Sequence, residues 1–298
     1  MRDLVLMHMP PKWATSLQLR MQINLDYTIN SGQVFLWEKI KKKWYGVNGI
    51  DILAVDEKEP QTIITYQKQN YDLFREDDDF DKILKSISKD KIIKNAIKEF
   101  SGLRLMRQDP FQCYISFIIS SNSSIQNIRL TLQRLAKKFG NKIIFDKKEF
   151  YLFPEPKKLA NATKSDLLSC GLGYRAPFVK NAVLQVTEKQ IDFESLKKSN
   201  YDTAKTLLLE VFGIGNKVAD CILLFSLEKL EAFPLDRWIV RSLQQYYPDK
   251  FSFEGKTLTD KKYQTLHQQV VQYFGPYAGY CQQFLFKLIR ESNQKKWL

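Results

Sequence analysis

The segment LLLEVFGIGNKVADCILLFSLEKLEAFPLDRWI, residues 207–239, decides how this 298-residue chain folds. An apolar helix is predicted to end at Phe212, a Gly-Ile-Gly turn follows, and a second apolar helix is predicted to begin near Asn216. Gly213 and Gly215 permit positive φ and leave backbone N–H groups open beside a helix N-terminus, where a phosphate oxygen can bind. The same pattern is also that of an ordinary pair of antiparallel helices joined by a glycine turn.

Two ionisable residues of this segment suggest chemistry. Lys217 lies in the predicted first turn of the second helix, where the helix dipole and the apolar neighbours disfavour an ammonium group. A lysine placed there is suited to act as a neutral amine nucleophile. Asp236 follows 19 positions later, at the predicted start of another helix. It can cap that helix, or it can stabilise the positive charge that develops on a sugar when a glycosidic bond breaks.

The composition argues against several classes of protein. The four cysteines lie more than 50 positions apart, so we expect no zinc ribbon, no iron–sulfur cluster of the usual spacing and no disulfide scaffold. With two histidines, a histidine-based metal or triad enzyme is not expected either. No apolar run reaches membrane-span length, and the start of the chain lacks the apolar core of a signal peptide. We therefore expect a soluble intracellular protein.

The positive charge is concentrated in the second part of the chain. The net charge is +13, of which residues 1–100 contribute +1 and residues 101–298 contribute +12. This asymmetry is typical of a protein whose second part faces a polyanion such as nucleic acid. A lysine-rich surface that only keeps the protein in solution would give the same balance.

The hydrophobic pattern predicts an α+β protein with a small antiparallel β domain at residues 1–99 and a mostly helical domain at residues 100–298. Apolar and polar residues alternate over residues 16–24, as in a half-buried strand. Further strands are predicted at 33–39, 44–47, 52–55 and 62–66.

Helical periodicity takes over in the second part. Asp109 and Pro110 mark the start of a buried helix with the sequence FQCYISFIIS. The helix-hairpin-helix is placed at about residues 203–227. Helices are predicted at 124–139, 176–187, 202–212, 216–227, 236–246, 259–274 and 277–290.

Five motifs, in order, resemble those of the helix-hairpin-helix DNA glycosylases with a Gly/Pro…Asp motif, and they are most similar to the 8-oxoguanine DNA glycosylases of the eukaryotic type. The motifs are INLDYTINSGQVFLW, SGLRLMRQDPFQCYISFIISSNSSI, CGLGYRAPFV, GIGNKVADCI…FPLDRW and GPYAGYCQQFLF. They cover the chain from about residue 20 to residue 290. The resemblance implies a β domain followed by a helical domain that grips DNA.

The resemblance also implies roles for single residues. Lys217 corresponds to the lysine that attacks the sugar C1′ and forms a Schiff base, and Asp236 to the acid that stabilises the oxocarbenium-like state. Gly32 corresponds to the glycine whose carbonyl accepts the N7–H of oxidised guanine. Phe286 and Cys221 correspond to the residues that sandwich the flipped base, and Gln282 to the amide that reads its Watson–Crick edge. Asn122, Tyr174 and Arg175 correspond to the residues that fill the gap in the duplex and contact the orphaned cytosine. Phosphate contacts are implied for Gly213, Gly215 and Arg237.

Each of these residues also has a purely structural interpretation. Phe286 and Cys221 could be core residues, Gln282 a surface amide and Tyr174 an aromatic residue that only packs against its neighbours. Related hairpins also imply a structural cation, which the backbone carbonyls of Leu209, Val211 and Ile214 would hold. No catalytic metal and no cofactor are expected.

The sequence departs from the family at two positions. Asn127 stands where the family usually has a second arginine for the estranged cytosine, and loss of a bidentate donor predicts relaxed discrimination of the opposite base. Trp238 stands where the family typically has histidine, and the adjacent Arg237 is a candidate to compensate through a phosphate contact.

The resemblance implies a monomeric bifunctional DNA glycosylase and AP lyase that acts on damaged double-stranded DNA inside the cell, away from membranes. A glycosylase of the same superfamily for other oxidised or alkylated bases is the nearest alternative. A non-catalytic DNA-binding protein is an alternative from another class, since hairpins of this kind also serve only to grip the DNA backbone.

Overall fold

The computed structural model describes residues 15–18, 22–67, 72–251 and 258–294. Its N-terminal part is a five-stranded antiparallel sheet with the strand order β1-β5-β4-β3-β2. The strands are β1 (Thr15–Gln18), β2 (Trp37–Ile40), β3 (Lys43–Asn48), β4 (Asp51–Asp56) and β5 (Glu59–Thr65). This sheet, followed by a mostly helical second part, confirms the predicted α+β class.

A tryptophan packs directly over the backbone of the neighbouring strand in this sheet. Trp37 of β2 pairs with Gly46 of β3 in the antiparallel register. A Cβ atom on Gly46 would lie 2.0 Å from Cε2 of the indole. Only glycine therefore lets this ring cover the strand, and the ring is buried.

The predicted strand at residues 16–24 is wrong in its second half. β1 ends at Gln18, residues 19–21 lie outside the described part of the chain, and Asn24 is the N-cap of α1 (Leu25–Ile29). The Asn24 side chain accepts the Tyr27 N–H at 2.9 Å. This local capping bond favours helix over the alternating pattern. The strand predicted at 33–39 likewise begins only at Trp37.

The helical part is built around the buried helix that the sequence predicts. Two short helices, α2 (Phe80–Ile87) and α3 (Lys91–Glu99), lead into α4 (Pro110–Ile119). Asp109 caps α4, with Oδ1 accepting the Gln112 N–H at 2.7 Å. Residues 111–119 are all buried, so α4 is the centre of the core.

The remaining helices surround α4. They are α5 (Ile125–Phe139), α6 (Pro156–Ala160), α7 (Lys164–Ser169), α8 (Ala176–Thr187), α9 (Phe193–Lys198), α10 (Tyr201–Leu209), α11 (Asn216–Ser226), α12 (Arg237–Tyr246), α13 (Asp260–Phe274) and α14 (Ala278–Gln294). The seven helices predicted after residue 120 are confirmed, with ends that differ by up to four residues. The largest corrections are at α10, which ends at Leu209 and not at Phe212, and at α14, which continues to Gln294.

A small hairpin inside the helical part was not predicted. It consists of β6 (Lys142–Phe145) and β7 (Lys148–Tyr151), joined by Asp146 and Lys147, which both have positive φ. α5 ends at Phe139, and Gly140 is its C-cap. A Cβ on Gly140 would lie 1.9 Å from the carbonyl oxygen of Leu152, so only glycine fits where the chain after the hairpin passes.

The last helix, α14, contacts both parts of the chain. α14 packs against α12 and α13 of the second part and also against α2 and α3 of the first. Helices on both sides of the predicted domain boundary at residues 99 and 100 therefore pack against α14, and the boundary stays a prediction. Within the ranges described, no helix is both long and apolar enough to cross a bilayer.

Candidate active site

Of the two glycines in the turn between α10 and α11, only Gly213 has a positive φ, and Gly215 has an extended backbone with φ −102°. Gly213 has φ +92°, and a Cβ atom on it would lie 2.4 Å from Cγ of Phe178. Gly215 is the N-cap of α11 and lacks a capping side chain, and a Cβ there would meet no atom within 4 Å. The N-terminus of α11 is thus open on this side, which is the arrangement that accepts an anion.

Lys217 lies in the first turn of α11 and points toward the end of the buried helix α4. Its Nζ donates a hydrogen bond to Oγ of Ser120 at 3.3 Å and lies 5.2 Å from the ring centroid of Phe117. Ser120 is the C-cap of α4, and its hydroxyl donates to the Phe117 carbonyl at 2.7 Å. The Ser120 oxygen is thereby turned toward the amine. Ser120 was not predicted, because only the fold brings it to Lys217.

Asp236 is the N-cap of α12, as its position in the sequence indicates. Oδ1 accepts the N–H groups of Trp238 and Ile239 at 2.9 and 2.8 Å. Burial raises the pKa of the Asp236 carboxyl, while the charge of Lys217 and the two N–H bonds oppose the rise. Capping and an electrostatic interaction with Lys217 therefore coexist in one side chain.

Gly32 and Phe286 lie face to face, although 254 residues separate them in the sequence. Gly32 has φ +80°, and a Cβ atom on it would lie 3.0 Å from Cε1 of Phe286 and 3.7 Å from Cδ1 of Ile125. Between the backbone of residue 32 and the aromatic ring there is no room for a side chain. The backbone itself is thus the group that the β part presents to Phe286.

A buried glutamine holds the loop that carries Gly32. The side-chain amide of Gln33 donates to the Arg104 carbonyl at 2.8 Å, and its oxygen accepts the Met106 N–H at 2.7 Å. The Gln108 amide in turn donates to the Gln33 carbonyl at 2.7 Å. These bonds fix the loop against the chain that leads into α4, so the backbone at Gly32 is held rigidly.

The other two predicted pocket residues lie on the helices that carry Lys217 and Phe286. Cys221 is one turn after Lys217 on α11, and burial raises the pKa of its thiol to about 12, so the group stays a neutral thiol. Gln282 is one turn before Phe286 on α14. Its amide donates to the Pro234 carbonyl at 3.4 Å, and its oxygen accepts from Gln283 at 2.8 Å. Gln282 thus contacts the loop that ends at Asp236.

The three residues predicted for the opposite strand form one cluster. Asn122 is exposed and has φ +49°. The Arg175 guanidinium donates to the carbonyls of Ser121 and Asn122, the latter at 2.9 Å. The Tyr174 hydroxyl donates to the Ser121 carbonyl at 3.2 Å, and Arg175 lies over its ring. In the free protein Arg175 supports the loop of Asn122, a contact that the sequence did not indicate.

The two positions that depart from the family are accessible or partly so. Asn127 is exposed in the first turn of α5, where its backbone N–H donates to Oγ of Ser124 at 3.2 Å. Trp238 is half-buried, with the Arg241 guanidinium 5.3 Å from its ring, and Arg237 is exposed beside it. Asn127 and Arg237 are thus open to solvent in the free protein, and their roles toward DNA stay predictions.

Metal binding has little support from side chains. Among the residues that the structure describes, no group of three or more His, Cys, Asp or Glu side chains is arranged to hold a metal ion. At the hairpin, the Val211 carbonyl accepts the Ile214 N–H at 3.0 Å. A carbonyl oxygen has a second lone pair, so a cation site at Leu209, Val211 and Ile214 stays a prediction.

The hairpin, Lys217 and Asp236 at the starts of two helices, and the β part that supplies Gly32 indicate the class of protein. They are those of a helix-hairpin-helix protein of base excision repair. The family model described as HhH-GPD superfamily base excision DNA repair protein matches residues 115–268, and that described as 8-oxoguanine DNA glycosylase, N-terminal domain, matches residues 16–114. The chain belongs to the 8-oxoguanine DNA glycosylase family of the HhH-GPD superfamily.

Known proteins from three domains of life are similar to it. A probable N-glycosylase/DNA lyase of Methanothermobacter thermautotrophicus is 32% identical over 224 residues, covering 68% of this chain and 69% of the relative. The N-glycosylase/DNA lyase OGG1 of Arabidopsis thaliana is 27% identical over 294 residues, covering 93% and 80%. The Clostridium acetobutylicum 8-oxoguanine glycosylase/lyase, solved with DNA that holds cytosine opposite 8-oxoguanine, is 27% identical with a TM-score of 0.83, covering 96% and 98%.

Proposed function

We propose that this protein is a bifunctional DNA glycosylase and AP lyase that excises 8-oxoguanine from duplex DNA. The observation that carries the proposal is the rigid Gly32 backbone facing Phe286, with Lys217 and Asp236 on the neighbouring helices. The names of the relatives, N-glycosylase/DNA lyase and 8-oxoguanine glycosylase/lyase, support the same activity.

The reaction begins when the damaged nucleotide leaves the duplex and its base enters the pocket. The side-chain nitrogen of Lys217 attacks C1′ while the glycosidic bond breaks. The base departs with the bonding electrons and takes up the proton that the attacking nitrogen releases. Asp236, ionised and held by its two capping bonds, stabilises the positive charge on the sugar during this step. Opening of the sugar ring gives an imine with Lys217, and loss of a C2′ proton expels the 3′ phosphate.

Recognition of the base depends on groups that are already held in place. The Gly32 carbonyl accepts the N7–H that 8-oxoguanine has and guanine lacks, and the lone pair of guanine N7 is repelled there. The ring of Phe286 stacks on one face of the base and Cys221 packs on the other. Gln282 reads the Watson–Crick edge. No catalytic metal or redox cofactor is required, because an amine and a carboxylate complete the chemistry.

We also propose that the protein acts as a monomer on intracellular DNA, with Asn122, Tyr174 and Arg175 filling the gap left by the base. The open turn at Gly213 and Gly215 binds a phosphate of the damaged strand.

Cleavage assays on a panel of lesions test the assignment. The panel contains duplexes with 8-oxoguanine, thymine glycol, 3-methyladenine or undamaged guanine. We expect release of 8-oxoguanine and strand cleavage, with little action on the others. Comparable cleavage of thymine glycol or 3-methyladenine would favour the glycosylase for other lesions, and salt-sensitive binding without any cleavage would favour a non-catalytic DNA-binding protein.

Gly32→Ala is expected to close the pocket. The new methyl group lies 3.0 Å from the Phe286 ring at φ +80°, so the ring or the loop must move. We expect cleavage of 8-oxoguanine to fall at least about tenfold and the free energy of unfolding to fall by about 1–2 kcal/mol. Single-turnover kinetics and denaturant unfolding measure the two effects.

Gly275→Ala is the matched control, because Gly275 has φ +86° and a Cβ there meets no atom within 4 Å. It also places a side chain at a positive φ, but without a contact in the pocket. Equal losses of cleavage in the two variants would show that Gly32 acts only through stability.

Asn127→Arg is expected to sharpen discrimination of the opposite base. Asn127 is exposed on the first turn of α5, so a longer side chain is accommodated there. An arginine offers two donors to the cytosine edge, and a good bidentate contact discriminates by about 1–3 kcal/mol. Cleavage of 8-oxoguanine opposite each of the four bases should show a preference for cytosine that rises about fivefold or more. An unchanged ratio would place residue 127 outside the recognition surface.

A further inference from the structure

Two arginines, Arg129 of α5 and Arg290 of α14, lie at the edge of the predicted base pocket. The guanidinium carbon of Arg290 is 5.5 Å from the ring centroid of Phe286. Arg129 is one helical turn after Ile125, the residue that lies with Phe286 against Gly32. The two arginines thus lie one turn from the residues that α5 and α14 bring to Gly32. We call them the arginine pair.

The two charges act on each other and are partly removed from water. Burial lowers the pKa of the Arg129 guanidinium. Burial also lowers the pKa of Arg290, where the charge of Arg129 adds to the effect and the carboxylates of Asp236 and Glu291 oppose it. Arginine remains protonated under these conditions. Both guanidinium groups therefore carry a positive charge that partial burial disfavours, on the two helices that reach Gly32.

Neither arginine forms an ion pair or a hydrogen bond within the described residues, although the charges of Asp236 and Glu291 act on Arg290. Across residues 22–67, 72–251 and 258–293, no acceptor within hydrogen-bonding distance and no ion pair is found for either guanidinium, and Nε of Arg129 is buried without a partner. The Glu291 carboxylate is held by Lys287 at 2.8 Å, and Oδ1 of Asp236 already accepts two N–H bonds.

Arg75 is a buried arginine whose charge is paired inside the fold, and it serves as a comparison for the arginine pair. Arg75 is 3% exposed and contacts Asp78 at 2.8 Å and Glu228 at 2.7 Å. Its charge is fully compensated inside the fold. The arginine pair is only half-buried and forms no such contact, so its charge remains available to an anion from outside the chain.

We propose that Arg129 and Arg290 together bind one phosphate of the damaged strand, next to the extruded nucleotide. The inference rests on the proposed function, because extrusion carries the phosphates that flank the nucleotide to the mouth of the pocket. A phosphate accepts hydrogen bonds from both guanidinium groups and neutralises their repulsion. The pair thereby couples DNA binding to the side of the pocket where Phe286 stacks on the base.

The salt dependence of DNA binding tests the phosphate contact without catalysis. The ligand is a duplex with a tetrahydrofuran abasic analogue, which the lysine cannot cleave. For Arg129→Gln/Arg290→Gln we expect affinity at low salt to fall at least about tenfold, and the slope of log K against log salt to become shallower by about 1. We also expect Tm to stay the same or rise, since a like-charge repulsion is removed.

Lys94→Gln/Lys98→Gln is the matched control, because it removes the same charge from exposed positions on α3. Its affinity should change by less than about threefold and its slope should not change. A lower Tm for the arginine double variant with an unchanged slope would overturn the proposal and make the pair structural.

Methylphosphonate substitution identifies the phosphate. Neutralising the backbone one position at a time should give a single position near the lesion at which the wild type loses affinity and the arginine double variant does not. Absence of any such coupled position would overturn the proposal. If inorganic phosphate alone raises the Tm of the wild type but no DNA position is coupled, the site binds a free anion instead. Because these measurements use binding and stability, they stay informative even if the lesion panel contradicts 8-oxoguanine excision.

Discussion

Lys217→Gln should abolish strand cleavage and covalent trapping while leaving DNA binding nearly intact. Glutamine has a similar length but no nucleophilic amine, so C1′ is left without its attacking group. We expect the single-turnover rate on an 8-oxoguanine duplex to fall by on the order of 10³-fold or more. Affinity for the tetrahydrofuran duplex should change by less than about tenfold, because the glycine turn of the hairpin is unaltered.

Lys164→Gln controls for removing a lysine from the first turn of a helix, since Lys164 is the exposed first residue of α7. It should cleave at the wild-type rate. The nucleophile assignment fails if Lys217→Gln still nicks the duplex and still forms an adduct with borohydride. Ser120→Ala, which removes the hydrogen-bond partner of Nζ, should slow cleavage without preventing the adduct.

Asp236→Asn should separate capping from catalysis. Asparagine caps helices as well as aspartate does, so the two N–H bonds to residues 238 and 239 can persist. It carries no charge, however, and leaves the developing positive charge on the sugar uncompensated. We expect cleavage to fall by about 10²–10³-fold while the free energy of unfolding changes by less than about 1 kcal/mol.

The pH dependence of cleavage should differ between the wild type and Asp236→Asn. Because burial raises the pKa of Asp236, cleavage should be lost as the pH falls through a value above that of an ordinary aspartate. In Asp236→Asn this acid limb should disappear from the residual activity. A raised pKa also means that the ionised form costs the folded state some stability at neutral pH, so the variant should melt at the same or a higher temperature.

Asp192→Asn is the control for the cap itself. Asp192 caps α9 and accepts the Glu194 N–H at 3.1 Å, away from Lys217. Its activity and pH profile should match the wild type. An equal loss of cleavage in Asp192→Asn and Asp236→Asn would contradict an electrostatic role of Asp236 in catalysis.

Residues with strong local signals could be placed from the sequence. Asp109, Gly215 and Asp236 begin helices α4, α11 and α12 because each capping position has a residue type suited to it. The positions of Lys217 and Asp236 at the starts of α11 and α12 could therefore be predicted, while their catalytic roles stay a proposal. The hydrophobic period likewise located the strands β3 to β5.

Local signals failed where short-range alternatives compete. Asn24 lies in an alternating stretch that reads as a strand, and only its capping bond to Tyr27 identifies α1. The β6–β7 hairpin turns at Asp146 and Lys147 with positive φ at both, but without the Asn-Gly or Asp-Gly pair that usually marks such a turn. In the sequence it resembles only a run of solvated lysines.

Contacts between distant residues were not accessible from the sequence. Ser120 meets Lys217 across 97 positions, and Arg175 supports Asn122 across 53. The arginine pair is 161 residues apart in the sequence, and nothing near either position indicates the other. Such contacts depend on how α4, α5, α11 and α14 pack together, which no local pattern encodes.

Reductive trapping with peptide mapping tests the central claim most directly. The wild-type protein is incubated with borohydride and a duplex that holds either 8-oxoguanine or guanine at one position, and the cross-linked peptide is sequenced by mass spectrometry. We expect one adduct, at Lys217, formed on the 8-oxoguanine duplex and accompanied by release of free 8-oxoguanine. An adduct on another residue, or equal trapping on the undamaged duplex, would contradict it.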